Sequence, residues 1–307
     1  MKIAYLILAH TDQTNLIRLI QALNYKYSTG FFIHIDKKAT FSDVDILSRL
    51  SPQMLEINIM KKYYVNWAGY SIIEAEYALI KKALDSPIGY DRFVLLSGLD
   101  YPLYPNEKIF EFFLQNKNNE YIKALNLSRL NEPPKMLERI EIYHFFRDCN
   151  IRNPFLKKLI AGGTLQIMKR LPIRKKHFFL NSPVYEGSQW WALTKECLTF
   201  LHEYCETHNK ELKKYFQNSF APDEMLFHTI IFNSIFNTKS LLYNRNDYPG
   251  LVGLTPLHYI EYSESIKVYQ EEDYNKLISS GKLFCRKVQT GISDNLLDLI
   301  DQYRYEI

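Results

Sequence analysis

Four groups of residues in this chain have the types and spacing to do chemistry. The first is Ser219-Phe220-Ala221-Pro222-Asp223-Glu224, two adjacent carboxylates just after a proline. A carboxylate placed there can take the proton from an attacking hydroxyl. Acids are also favoured electrostatically at a helix start, so position alone leaves both readings open. The second group is Gly187-Ser188-Gln189-Trp190-Trp191-Ala192, which joins stacking surfaces to hydrogen-bonding side chains. Neighbours on a strand face opposite sides, so one Trp is expected in the core and one in a site. The third group is His34-Ile35-Asp36-Lys37-Lys38, Asn66-Trp67-Ala68-Gly69 and Ser97-Gly98-Leu99-Asp100-Tyr101-Pro102. Asp36 and Asp100 can accept from ribose hydroxyls or a base imide, or simply form turns. Trp67 can pack on a base or a sugar. The fourth is cationic: Lys267, and Leu283-Phe284-Cys285-Arg286-Lys287-Val288. Such cations can offset charge on a departing diphosphate, or belong to a solvated strand edge.

The elements that must position these residues alternate in type. Residues 3–9 and 92–96 are apolar runs expected of strands buried on both faces, and 31–36 is a further strand. Helical spacing of Leu16, Leu19, Ile20 and Leu23, and of Ile73, Tyr77, Ile80 and Leu84, predicts helices over 14–23 and 70–84. A helix over 42–50 and a short strand over 57–60 complete the first third. This alternation predicts an α/β fold with a mostly parallel central sheet and flanking helices, whose ligands bind beyond the carboxyl ends of the strands. Later segments predict a helix over 107–114, strands over 121–125 and 185–194, and helices over 195–208 and 222–232. Strands over 257–262 and 283–287 and helices over 271–279 and 293–303 follow. One domain over 1–307 is expected, with a Rossmann-like nucleotide-binding half (1–125) and an acceptor-binding and catalytic half (126–307).

Composition narrows the classes. With 307 residues, 47% of them apolar, a sizeable core is available. A net charge of +4 is no nucleic-acid footprint, so no nucleic-acid partner is expected. There is no GxGxxG, P-loop or GxSxG, which removes the core signals of dinucleotide oxidoreductases, NTPases and α/β-hydrolases. The four cysteines form no CxxC pair, so reduced thiols in a cytoplasmic protein are expected. The opening apolar run is short and followed by His10-Thr11-Asp12, which favours a buried strand over a signal peptide. Asp43-Val44-Asp45 has the form of a metal-binding triplet. It follows Ser42 at a helix start, and first-turn acids behind a serine cap explain it, so no metal site is assigned. From Arg147 to Lys176 there are nine Lys/Arg and one acid, Asp148. Apolar residues between those cations allow an amphipathic helix on an anionic membrane, with peripheral contact through 152–176. A solvated face or a groove for an acidic glycan fits equally well.

Taken together, seven segments in order resemble the core-2/I-branching β-1,6-N-acetylglucosaminyltransferase family, which includes the peptide O-xylosyltransferases. They are Ala4-Tyr5-Leu6-Ile7-Leu8-Ala9-His10, the segment 34–38, Val65-Asn66-Trp67-Ala68-Gly69-Tyr70-Ser71, and Ser97-Gly98-Leu99-Asp100-Tyr101-Pro102-Leu103. Gly187-Ser188-Gln189-Trp190-Trp191, Pro222-Asp223-Glu224 and Phe284-Cys285-Arg286-Lys287 complete the set. The resemblance implies a GT-A-like fold and inverting transfer of a sugar, N-acetylglucosamine first, from a UDP-sugar to a hydroxyl of a glycan or glycolipid acceptor. It implies no cofactor and no required divalent metal. Glu224 becomes the general base. Asp36, Trp67 and Asp100 line the donor's nucleoside pocket, and Arg286, Lys287 and Lys267 meet its diphosphate. Ser188, Gln189, Trp190 and Asp223 face the acceptor. A xylose donor, or a relative that binds sugars or nucleotides without catalysis, is the alternative. The family's second glycine after the Trp is Ala68 here, and the animal enzymes' disulfides have no counterpart. The compact length resembles the bacterial members, which implies a cytoplasmic protein, at the inner face of the membrane if attached.

Overall fold

The computed structural model describes residues 1–50, 54–129, 134–149, 151, 153–173, 178–244, 249–262 and 264–306. Strands and helices alternate at first: β1 (Ile3–Ala9), α1 (Gln13–Leu23), β2 (Thr29–Ile35), α2 (Asp43–Leu47), β3 (Glu56–Met60), α3 (Ser71–Leu84) and β4 (Arg92–Ser97). Next come β5 (Asp100–Pro102), α4 (Asn106–Gln115), β6 (Lys123–Asn126), α5 (Pro134–Glu141) and α6 (Pro154–Arg170). A small hairpin, β7 (Phe178–Phe179) and β8 (Ser182–Pro183), leads to β9 (Tyr185–Gly187), β10 (Ala192–Thr194), α7 (Lys195–Thr207), α8 (Asn209–Phe216) and α9 (Leu226–Phe232). The chain continues through β11 (Leu241–Tyr243), α10 (Gly250–Gly253), β12 (His258–Ile260), α11 (Tyr274–Ile278), β13 (Phe284–Arg286) and α12 (Asp294–Glu306).

The central sheet has the order β10-β4-β1-β2-β3. β3, β2, β1 and β4 are parallel, and β10 is antiparallel to β4. This is the mixed, mostly parallel α/β architecture that the alternation predicts. Parallel strands with helices on both faces carry no polar face, which is why β1, β2 and β4 are nearly continuous apolar runs. Alternate residues of β1 enter different cores. Ala4 and Leu6 join Ile73, Leu79 and Ile80 of α3. Ile3, Tyr5 and Ile7 join Leu16, Leu19, Ile20 and Leu23 of α1. Each fully buried Leu or Ile side chain contributes roughly 1.5–3 kcal/mol.

Two smaller sheets flank this one, with orders β11-β6-β9 and β12-β13-β5. In the second, β13 lies parallel to β12 and antiparallel to β5, with Arg286 directly opposite Asp100.

Two segments differ from their sequence patterns. Residues 185–194 are two strands in different sheets, since β9 pairs with β6 and β10 with β4. A period of two shows which way side chains point and not which sheet receives them. Residues 222–232 are a 3₁₀ turn over Pro222–Glu224 followed by α9, with a break at Met225 (φ −130°). Ala221 enters that turn in the left-handed region (φ 48°), and the Glu224 and Met225 N–H groups reach back only three residues, to Ala221 and Pro222. At Asp43-Val44-Asp45 the structure has a capping box. Ser42 Oγ accepts from the Asp45 N–H, and the Asp45 carboxylate accepts from the Ser42 N–H.

Candidate active site

The strand order reverses between β1 and β4, and a cleft of about 350 Å³ opens at the carboxyl ends there. Asp36, Trp67, Gln189, Trp190 and Arg286 all line it, so five sequence-predicted residues from distant segments converge. Asp36 follows β2. Its Oδ1 accepts from the Lys38 N–H (2.9 Å) and the Val65 N–H (3.3 Å), so it both forms the turn and holds the loop that carries Trp67. Trp67 is 74% exposed at the cleft mouth, its indole set edge-on against Phe220. Trp191 is fully buried against Phe227, whereas Trp190 forms cleft wall. Neither Trp lies in a strand, since β9 ends at Gly187 and β10 starts at Ala192, and Trp190 is itself buried in the core cluster.

Arg286 is held from two sides. Its Nη1 donates to Asp100 Oδ1 at 2.8 Å, and its guanidinium lies 4.6 Å above the Trp190 ring. Asp100 does not line the cleft. It is fully buried behind Arg286, and its Oδ2 accepts from the Ser97 N–H (2.7 Å) and lies 3.2 Å from His258 Nε2. Burial opposes ionisation of Asp100, yet Arg286, then His258 and the Ser97 N–H, hold its carboxyl below the usual carboxylate range. Arg286 Nε is buried with no hydrogen-bond partner among the described residues. Lys287 uses its main chain to pair with Lys267 and Tyr269. Lys267 is not part of the cleft lining, and its ammonium lies 2.5 Å from Asp273. A cation alone on a sequence carries no sign of such local capture.

Glu224 and Asp223 sit in a second cluster, joined to the cleft through Gln189, whose Nε2 donates to Glu76 Oε1 at 2.5 Å. Arg139, from α5, donates to both Glu224 Oε2 and Glu186 Oε1. Two carboxylates thus share this guanidinium, and Asp223 and Glu76 add charge to the same cluster. Burial raises Glu224 above its ordinary value, with Arg139 opposing the shift. Burial, then the Glu224 charge, pushes Asp223 up to about 7. Glu186 is pushed up to about 8, by burial first and also by Glu224, against the pull of Arg139. Glu76 rises well above its ordinary value through burial and Asp223. Ser188 is buried beside this cluster. Gly187 next to it is needed, because a Cβ there would meet the Lys123 carbonyl at 2.1 Å and the His228 ring at 2.5 Å.

The loop of Trp67 and the turn of Glu224 are tied by one backbone bond, Ala221 N–H to Ala68 C=O (3.1 Å). Both alanines are left-handed, Ala68 with φ 58° and Ala221 with φ 48°. Such strain persists only where the surroundings over-determine it. The basic segment also reaches the site. Asp148, its one acid, caps α3 from outside, accepting from the Tyr70 N–H (2.7 Å), the Ser71 N–H (3.2 Å) and Ser71 Oγ (2.6 Å). Lys157 Nζ donates to Asn66 Oδ1 at 2.7 Å, beside Trp67. Arg152, Arg174, Lys175 and Lys176 lie outside the described residues.

Sequence reasoning assigned no role to Arg139, Glu186 or Glu76, and named His10, His34 and Lys38 only within motifs. His10, His34 and Lys38 line the cleft. Burial and the nearby Arg286 lower the His10 pKa, with Lys287 and Lys38 adding to the effect against Asp36. His34 accepts the Tyr63 N–H through Nε2 and is pushed down to about 4 by burial, which keeps it neutral.

A family model described as Core-2/I-Branching enzyme matches residues 3–274. Xylosyltransferase 2 of Canis lupus familiaris is 20% identical over 315 positions, covering 99% of this chain and 34% of that protein. A xylosyltransferase of Ciona intestinalis is 23% identical over 234 positions, covering 76% of this chain and 25% of that protein. The chain therefore spans about a third or less of the length of these curated relatives. A solved structure of mouse xyloside xylosyltransferase 1 in its apo form aligns with 78% of this chain and 85% of its own, at 10% identity and a TM-score of 0.33.

Proposed function

The chain belongs to the Core-2/I-branching enzyme family, and from that premise we propose that it is an inverting, metal-independent glycosyltransferase. It moves N-acetylglucosamine from a UDP-sugar to a hydroxyl of a glycan or glycolipid acceptor, on the cytoplasmic side of the membrane. The observation that carries this reading is the fixed Arg286, clamped by Asp100 and Trp190 in a cleft that also presents Asp36 and Trp67. A planar cation pre-set at a cleft wall suits the charge that develops as a nucleoside diphosphate departs. In this reading Lys287, the next residue along the chain, adds a second cation, and the two do the work of a metal. Asp45, in the one DxD triplet of the nucleotide-binding half, is engaged in its helix cap.

In the transfer step the acceptor oxygen attacks C1 of the sugar as the bond from C1 to the diphosphate breaks on the opposite face. Glu224 takes the hydroxyl proton, and UDP leaves toward Arg286 and Lys287. A carboxylate raised above its ordinary pKa is a stronger base, and the shift of Glu224 supports this role. Arg139 engages Glu224 Oε2, which leaves Oε1 for the proton. Substituting Glu224→Gln keeps the shape and removes the base. Turnover should drop by about 10²–10⁴-fold with donor binding retained. Near-wild-type turnover in that variant would overturn the assignment.

A second reading, with UDP-xylose as donor, is favoured by the relatives, which are named xylosyltransferases. Turnover of each UDP-sugar by the wild-type chain distinguishes the two donors. Donor binding without hydrolysis or transfer would favour a non-catalytic relative.

A further inference from the structure

Helix α6 has two unlike faces. Lys157, Ala161, Thr164 and Met168 recur at helical spacing and turn toward the rest of the molecule. On the far side Phe155, Leu159 and Ile167 fall on one stripe and are 75%, 61% and 58% exposed. Leu156 beside them is exposed as well. Gly163 completes the stripe, and a Cβ built there meets nothing within 4 Å. Four apolar side chains left in water along about 18 Å of helix are unusual for a solvated face. Lys158 and Arg170 are exposed on the same helix, with no ion pair among the described residues. The only acid of the whole basic segment, Asp148, is engaged at the start of α3 and offsets none of the outward charge. No helix among the described residues is long and apolar enough to cross a membrane.

We propose that α6 lies flat on an anionic lipid surface, with Phe155, Leu159 and Ile167 inserted at the level of the acyl boundary and Lys158 and Arg170 against the headgroups. An apolar stripe with cationic flanks is complementary to that surface in both respects, whereas a protein face would have to supply acids at matching positions. Through Lys157 and Asn66 the helix is joined to the loop of Trp67, so the cleft mouth is held close to the lipid. An acceptor carried on a lipid would then be delivered to the cleft from the surface on which the enzyme rests. The membrane contact stands on α6 alone and does not depend on the transfer reaction.

The test is flotation of the full chain with vesicles of phosphatidylcholine alone, or of phosphatidylcholine mixed with phosphatidylglycerol, at low and high salt. The chain should float with the anionic vesicles, and less so at high salt. The double variant Phe155→Ser/Leu159→Ser should bind them on the order of ten-fold more weakly or worse. Lys158→Glu/Arg170→Glu should abolish the preference for anionic lipid. A rise in melting temperature with UDP, equal in wild type and variants, verifies that the fold and cleft are intact. Failure to float, or flotation indifferent to both double variants, overturns the proposal. So does a dimer in sedimentation that the Phe155/Leu159 variant dissolves, since a second copy would then cover the stripe.

Discussion

Asp223 is surrounded by more negative charge than Arg139 can balance. An unfolded Asp ionises near about 3.9 and an unfolded Glu near about 4.3. In the folded chain Asp223 is pushed up to about 7 and Glu186 to about 8. Between roughly pH 4 and 8 the folded protein therefore keeps protons that the unfolded chain has released, and these groups make stability fall as pH rises. Asp223→Asn removes one such proton site. Its melting temperature should fall less between about pH 4 and 8 and exceed that of the wild type at pH 8, with the two converging toward pH 4. Thermal unfolding across that range checks it. A variant less stable than wild type at pH 8 would mean that the Asp223 carboxylate is better compensated than its neighbours suggest. At this scale the sequence pointed to Trp190 and Arg286, which line the cleft, and to Glu224, which sits in the second cluster. It was silent about Arg139 and Glu186, because a guanidinium bridging carboxylates 47 and 85 residues away leaves no local pattern. Asp100 was readable as important but not as buried, since its neighbour across the ladder is 186 residues away.

At the scale of elements, the loop of Trp67 and the turn of Glu224 carry local strain. A left-handed alanine costs about 1–2 kcal/mol relative to its relaxed backbone, and glycine adopts that region freely. Ala68→Gly should stabilise the protein by roughly 0.5–1 kcal/mol once the entropy glycine adds to the unfolded chain is subtracted. Urea unfolding measures this directly, and a net loss would show that packing of the buried Ala68 methyl outweighs the strain. The departure at Ala68 from the glycine expected there was visible in the sequence, but its φ of 58° was not. Buried strands and amphipathic helices were legible throughout the first third, because one period governs each. The division of 185–194 between two sheets was not, and neither was α8, whose outer face is so polar that only Leu212 and Phe216 mark its buried side.

For the molecule as a whole, the pair Asp100–Arg286 joins the segment that follows the central sheet to a strand far along the chain. Removing only the cation leaves a buried carboxylate exposed to its full desolvation penalty, and Arg286→Met should cost about 3–5 kcal/mol. Adding Asp100→Asn should recover part of that loss, while neither variant should show the rise in melting temperature expected of the wild type with UDP. Full recovery of UDP binding in the double variant would remove Arg286 from the donor site. The same strand has a consequence for the order of assembly. β13 enters between β5 and β12, so on a nascent chain the cleft lacks its cation until residue 286 has been synthesised and the long loop back to Asp100 has closed. Sheet pairing across such a separation is slow compared with formation of α1 or α3. The first third of the chain can collapse early around β1, but a donor meeting that intermediate would find no clamped guanidinium. Competence to hold a donor should thus emerge late in folding, with the docking of β13.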